Sequence, residues 1–455
     1  MSDSTRREFM TRSGCGLLSG AALLTGFEQF SLMSLFAEEA RRNNADYKAL
    51  VCVFLFGGND SNNMVIPYDN YADYAAVRSG AAFAIPQDQL LQINPPSAGA
   101  TYGLHTNMPE MQILFNQMKL AIVVNIGTLV QPLTREDYLA GAPRPSQLFS
   151  HSDQQTESLT ARSSGASQTG WGGRTADRVL SSETFPIITS VAGVTIYGTA
   201  GATRPLVISP APTPLNQTLR LLRAEPALEA LLALDSGKGV PTLVGANSRI
   251  VTQAIANSRS LDTDPLLTTV FPNTALGNQL KQIAKLISLK DTLGMRRQIF
   301  FAARGGFDTH TGQATGQGNL LREVSQALSA FYDATIELGL ADRVTTFTLS
   351  DFTRTFRPGG GMTGTDHAWG GHQLVLGGSV LGGDFYGTYP TLAPGGPDDT
   401  DMGTGARGRW IPTIAIDQYG ATLGQWLGLT ADDVPMVFPN IGSFAANNLG
   451  FMQAI

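Results

Sequence analysis

The feature that most constrains the fold is an unbroken apolar run, Ala49-Leu-Val-Cys-Val-Phe-Leu-Phe56, closed by Gly57-Gly58. A strand with polar residues at alternate positions can leave one face in water. A continuously apolar strand must be covered on both faces, as in a parallel sheet packed between helices. Three more stretches read alike: Leu120 to Ile126, Gln298 to Ala303, and Val344 to Leu349. Between them apolar residues recur at helical spacing, with Met108, Met111, Phe115 and Met118 on one face. Leu276, Leu280, Ile283 and Ile287 mark a second such face, and Leu321, Val324, Leu328 and Phe331 a third. Strands alternating with helices predict βαβ units, and so an α/β fold with a mostly parallel, doubly wound sheet. The 50 glycines and 15% charged residues fit many tight loops around a buried sheet better than a helical bundle.

The middle of the chain breaks this rhythm. Residues from about 155 to 275 hold Ser, Gly and Thr runs, a β-like piece from Val191 to Tyr197, and a helical stretch near Thr218 to Leu234. This stretch is expected to be an insertion or cap over the sheet edge, within a domain spanning 48–455. A second Gly- and Pro-rich stretch runs from about 387 to 410. The net charge of −6 lacks the basic footprint of a nucleic-acid binder, so no nucleic-acid partner is expected.

The N-terminus reads as an export address. Arg6-Arg7 precede an apolar stretch from Cys15 to Phe27, which fits a signal h-region of roughly 7–15 residues. It falls short of the roughly 20 apolar residues of a bilayer span. Paired arginines before a weak h-region predict a twin-arginine signal over 1–37, the twin-arginine translocase as export partner, and a periplasmic or extracellular location. No second long apolar run follows, so an integral membrane protein is not expected. Cys15 stands at the start of the h-region and not after it, which argues against lipidation, and removing the signal leaves Cys52 alone, excluding an internal disulfide.

Chemistry concentrates around the five histidines, His105, His151, His310, His367 and His372. In open α/β sheets, ligands bind outside the carboxyl ends of the strands. Three candidate groups fall there. Gly57-Gly-Asn59-Asp60-Ser61 follows the first run, where glycines permit a tight turn presenting Asp60, although the same residues are ordinary turn chemistry. Asp308-Thr309-His310 follows the third run; in an extended segment, side chains two apart share a face and could chelate one ion. Ser350-Asp351 follows the fourth run, and Asp366-His367 return on a glycine-rich loop. Asp60, Asp308, His310, Asp351 and His367 thus form the expected metal ligands. Carboxylates and imidazoles without thiolates favour one or two divalent ions: Zn, Mn, Mg or Ca. Two ions would clamp the attacking and leaving oxygens of a phosphate or sulfate ester. Arg354 is a candidate for holding an oxyanion or for a salt bridge, and His372 for a ligand or catalytic role or a structural one. Thr106 is a candidate nucleophile ahead of a helix, and equally an N-cap; Ser61 is a second candidate. Asn59, Ser61, His151, Asp153 and Asp366 are candidates to line the cleft; the segment that holds His151 and Asp153 could also finish a ligand set, or equally be a hydrogen-bonded loop.

At these residues the chain resembles the 1501 domain-of-unknown-function family of exported bacterial proteins, a sulfatase-like branch of the alkaline phosphatase superfamily. The carrying segments are Phe56-Gly-Gly-Asn-Asp60, Ser150-His-Ser-Asp-Gln154, Phe307-Asp-Thr-His310, Leu349-Ser-Asp-Phe-Thr-Arg354 and Gly364-Thr-Asp-His367. The resemblance implies a three-layer α/β/α sandwich with a metal-binding cleft. It makes Asp60 the strand-one ligand, Asp308 and His310 the later pair, and Asp351 with His367 the closing ligands. Two departures stand out: Phe352 replaces a histidine more usual in the superfamily, and Ser350-Asp-Phe-Thr-Arg354 stands where typical members of this branch have Ser-Glu-Phe-Gly-Arg, a longer carboxylate; a sulfatase-type nucleophile motif is also missing. The function implied is an exported metal-dependent hydrolase acting on a sulfate or phosphate ester, small or polysaccharide. The alternative is a non-catalytic periplasmic binding or assembly protein that keeps the cleft.

Overall fold

The apolar run that opens the argument forms β1 (Lys48–Leu55), flanked on both sides by parallel strands. The structure, a computed structural model, describes residues 46–79, 83–163, 165–179, 185–218, 232, 242–359 and 363–453. The expected signal over 1–37 lies outside the described residues, as does all but Thr218 and Leu232 of the helical stretch near Thr218 to Leu234. Two compact units, 1–47 and 48–455, divide the chain, and every element named below belongs to the second.

Among the described residues eleven more strands follow in chain order: β2 (Val65–Pro67), β3 (Leu91–Ile93), β4 (Tyr102–Leu104), β5 (Leu120–Gly127), β6 (Ile188–Ser190), β7 (Leu206–Val207), β8 (Arg297–Arg304), β9 (Val344–Ser350), β10 (Gly371–Gly377), β11 (Phe385–Tyr386) and β12 (Ile414–Ala415). β2, β4 and β3 make a small antiparallel sheet. The other nine make one large sheet in the order β11-β5-β10-β9-β1-β8-β6-β7, with β12 also beside β5. Among these, β10 alone runs antiparallel to its neighbours, because it carries the chain back from the rim where β9 ends. Lys48 to Leu55 pair in step with Arg297 to Arg304, and Ala49 to Leu55 with Val344 to Ser350. Three of the four apolar runs are thus adjacent, and their carboxyl ends emerge at one rim.

The helices are α1 (Tyr71–Arg78), α2 (Pro109–Asn116), α3 (Arg135–Leu139), α4 (His151–Thr160), α5 (Trp171–Val179), α6 (Thr242–Ser260), α7 (Ala275–Ser288), α8 (Gln313–Glu337), α9 (Ile416–Leu427) and α10 (Val434–Val437). α2, α7 and α8 pack together as one layer, and α4, α5, α9 and α10 as another. Burial of both strand faces demands this sandwich. The expected faces of α7 and α8 are buried, from Leu276 through Ile287 and from Leu321 through Phe331. In α2, Met111 and Phe115 are buried, but Met118 is not: the helix stops at Asn116, and Met118 sits exposed in a left-handed turn at φ 60°.

In the middle stretch, Val191 to Tyr197 is not a strand. Gly193 turns the chain at φ 84°, Ser190 Oγ donates to Gly193 O, and Ile196–Gly198 forms a 3₁₀ turn. The extended residues are those just before, β6, which with β7 widens the large sheet beyond β8. The Gly- and Pro-rich stretch is organised by one buried carboxylate. Asp399 accepts the backbone N–H groups of Gly395, Asp401, Gly408 and Arg409.

Candidate functional site

The rim above β1, β8 and β9 is built by glycine. Gly57 adopts φ 111°, and a Cβ there would lie 2.3 Å from the Asp308 nitrogen. Only glycine lets the loop after β1 pass so close to the loop after β8. Gly57 N–H donates to Asp351 Oδ1 (3.1 Å) and Asn59 N–H to Ser350 Oγ (3.0 Å), so the loops after β1 and β9 are stitched together.

On this floor stands a cluster centred on Asp308. Its Oδ1 lies 3.0 Å from His310 Nε2, 3.3 Å from His151 Nε2, 3.3 Å from His367 Nε2 and 2.6 Å from Arg354 Nη1. His310 Nε2 and His367 Nε2 are 3.0 Å apart. His367 Nδ1 donates to Phe149 O (2.7 Å), which fixes the tautomer and leaves the Nε2 lone pair facing the cluster. His151 Nδ1 lies 2.7 Å from Asp351 Oδ2 while its Nε2 has no hydrogen-bond partner and is turned toward Asp308. Ring contacts among His151, His310, His367 and Phe352 hold the imidazoles in place.

The electrostatics follow from these neighbours. Burial pushes the Asp308 carboxyl up, but the Arg354 hydrogen bond and charge, joined by His310 and His151, outweigh it and hold it below its ordinary value. The Asp351 hydrogen bond raises the His151 imidazole despite its burial. Burial holds the His367 imidazole below its ordinary value, against the Phe149 hydrogen bond. One atom each from His151, Asp308 and His367 lies within 4.8 Å of the others, and the same holds for His310, Asp366 and His367. Imidazole nitrogens and a carboxylate oxygen converging with lone pairs inward suit a divalent ion.

The other expected site residues are placed differently. Asp60 does not join the cluster. It is fully buried against Arg78, with Nη1 2.6 Å from Oδ2 and Nη2 donating to Oδ1, and it accepts from Gln313 Nε2. Asp351 is buried, and its oxygens meet Gly57 N–H, His151 Nδ1 and Gln155 Nε2. Arg354 is buried beneath the cluster, tying Asp308 to Gly57 O and Thr365 O. The salt-bridge expectation for it matches this geometry. His372 lies in β10, fully buried on Tyr389; its Nδ1 accepts Asn125 N–H, and burial lowers it to about 3.

Neither candidate hydroxyl sits among the imidazoles. Thr106 is exposed, and the residue capping α2 is Met108. Ser61 Oγ is buried 2.7 Å from Thr353 Oγ1. Of the cleft residues, Asn59 and Ser61 are buried in the loop lattice. Asp153 accepts from Ser150 and Ser152 at the start of α4, and Asp366 faces Arg407 and Arg409 beside His367. Arg78, Gln155, Gln313 and the Phe149 carbonyl were not anticipated. Only Gln155 carried a signal, one helical turn after His151 on the same face.

Residues 283–399 match the family model described as protein of unknown function, DUF1501. That segment is similar to the family. It contains Asp308, His310, Asp351, Arg354, Asp366, His367 and His372, whereas His151 lies upstream of it. No curated protein sequence matches the chain. Among solved structures, the PsFucS1 sulfatase from Pseudoalteromonas sp. aligns at TM-score 0.35 and 11% identity, over 94% of this chain and 77% of that one. The lipoteichoic acid synthase LtaP from Listeria monocytogenes aligns at TM-score 0.30 and 8% identity, over 80% of this chain and 75% of that one. The C-terminal periplasmic domain of EptC from Escherichia coli, in complex with zinc, aligns at TM-score 0.29 and 10% identity, over 73% of each chain.

Proposed function

We propose that the protein is an exported, metal-dependent hydrolase of sulfate or phosphate esters, with its cleft at the rim above β1, β8 and β9. The observation supporting this is the meeting of Asp308, His310 and His367, from two distant segments, with their donor atoms 3.0–3.3 Å apart. The donor set fits a divalent ion. Asp308, His310 and His367 would hold such an ion, which would polarise an ester oxygen and make water a better nucleophile. Arg354 holds the Asp308 carboxylate ionised, and the Phe149 carbonyl keeps the His367 lone pair inward. Asp308 and His310 side chains are 46% and 36% exposed, so an ester can reach the donors from solvent. Arg407 and Arg409 stand beside Asp366 on the same side and suit an anionic substrate. With Thr106 and Ser61 away from the cluster, water is the nucleophile this reading favours.

The same observation gives weight to a second reading, a non-catalytic exported binding protein that keeps a metal cleft. Two measurements separate them. Metal content of protein purified without chelators is expected to show a divalent ion, and Asp308→Asn should lose it. An ion at a hundred times its Kd stabilises the native state by about 2.7 kcal/mol, so the variant's melting temperature should fall to that of chelator-treated wild type. Unchanged metal stoichiometry in Asp308→Asn sinks the metal assignment. Turnover of an aryl sulfate, phosphomonoester or phosphodiester by the loaded protein selects the hydrolase; loaded protein inert on all three selects the binder.

A further inference from the structure

Asp351 and His151 form a pair that the sequence pattern does not assign. Asp351 stands at the end of β9, where a first ligand to a metal is expected, yet both of its oxygens are engaged by protein donors. Oδ1 receives Gly57 N–H at 3.1 Å; Oδ2 lies 2.7 Å from His151 Nδ1 and receives Gln155 Nε2 at 2.7 Å. The side chain is fully buried, whereas His151 is 29% exposed. His151 is the first residue of α4, so one turn of helix places Gln155 beside it on the same carboxylate oxygen. A carboxylate on one ring nitrogen of a histidine fixes the tautomer and orients the other nitrogen, as is common for metal-bound histidines. Here the other nitrogen, Nε2, has no hydrogen-bond partner and lies 3.3 Å from Asp308 Oδ1.

We infer that His151 is the fourth ligand of a single metal ion, with His310, His367 and Asp308, and that Asp351 is a positioning residue acting through His151. The inference rests on the metal-binding reading above and deepens it. Four ligand-to-ligand separations are known: 3.3, 3.0 and 3.3 Å from Asp308 Oδ1 to His151, His310 and His367 Nε2, and 3.0 Å between His310 and His367. A tetrahedral ion with bonds of about 2.0–2.1 Å has ligand-to-ligand edges of about 3.3 Å, and each of these four separations is close to one such edge. Three imidazoles and one carboxylate select a zinc-class ion over magnesium or calcium, which prefer oxygen. Asp366 also comes within reach of His310 and His367, but an ion there would take the two imidazoles this set already uses, and Asp366 is paired with Arg407 and Arg409.

The test is a double-mutant cycle read by zinc affinity and by the visible spectrum of the cobalt-substituted protein, on the full mature chain. Wild type is expected to bind one zinc. Asp351→Asn should keep that stoichiometry and weaken zinc by about 10- to 100-fold, with a shifted cobalt spectrum. His151→Ala should also weaken zinc, and adding Asp351→Asn to His151→Ala should produce no further change. Gln155→Leu leaves Asp351 charged and its backbone contact intact; it should give a smaller loss that also disappears without His151, which keeps the test valid if Asp351→Asn folds poorly. Additive effects of Asp351→Asn and His151→Ala would overturn the inference, as would a zinc affinity indifferent to His151→Ala. A stoichiometry of two would overturn the single-ion assignment. Wild type that binds no divalent ion removes the metal-binding reading itself, an outcome distinct from binding that ignores Asp351 and His151.

Discussion

Glu157 sits on the interior side of α4, where Gln154 Nε2 donates to one carboxylate oxygen (2.6 Å) and burial pushes the group from 4.5 up to about 8. The folded protein therefore holds its proton where the unfolded chain has released it. With the folded pKa raised, the stabilising contribution is fully present below about pH 4.5 and is lost as pH rises toward about 8. Within that window stability should fall by about 1.4 kcal/mol per pH unit from this group alone. Asp417, buried at the start of α9 with neither oxygen hydrogen-bonded and raised to about 7, adds the same sign from 3.8 upward. Glu157→Gln should flatten the slope between pH 5 and 7, measured by denaturant unfolding at a series of pH values. A slope equal to that of wild type would show that Glu157 ionises freely in the fold. At this scale the sequence was legible in part. Asp308, His310 and His367 were readable because short motifs at strand ends have one direction to face. Asp60 and Asp351 were not, because their oxygens are taken by partners far along the chain or in another element, Arg78 and His151, that no local spacing reveals.

At the scale of elements, the long apolar runs were readable because burial on both faces leaves no other conformation for them. β6, β7, β11 and β12 were not, since two or three extended residues carry no period to detect. The element that closes the site is a strap with no regular secondary structure. Gly364 lies against the segment after β8: a Cβ would fall 2.1 Å from Thr309 O and 2.3 Å from the His310 carbonyl carbon. Thr365 N–H donates to Thr309 O on one side and Gln313 N–H to Thr363 O on the other. Gly364→Ala must therefore part the strap from residues 309–310, which separates His367 from His310. Overpacking of this kind costs about 1–3 kcal/mol. Here it acts on the ligand geometry, and each 1.4 kcal/mol of lost binding is about tenfold in affinity. Metal titration of Gly364→Ala should show that weakening, together with a modest fall in melting temperature. Wild-type affinity in the variant would mean that the strap does not set the distance between the two imidazoles.

At the scale of the whole molecule, the donors come from α4, from the loop after β8 and from the strap before β10, so they meet only in the folded chain. A chain translocated unfolded would have to acquire its ion outside the cytoplasm, in competition with whatever metals are present there. A chain translocated folded can load beforehand, and on the export reading proposed above the paired Arg6-Arg7 followed by a weak apolar stretch would serve as the address for folded export. No helix among the described residues is long and apolar enough to cross a membrane. If the address is read as proposed, replacing Arg6 and Arg7 with lysine should leave precursor inside the cell while charge and hydropathy stay the same, as seen by fractionation and immunoblotting. Replacing residues 1–37 with a signal for the unfolded route should restore secretion but yield protein whose metal content follows the growth medium. Secretion undiminished by the double lysine change would remove the twin-arginine assignment and, with it, any reason for the ion to be chosen in the cytoplasm.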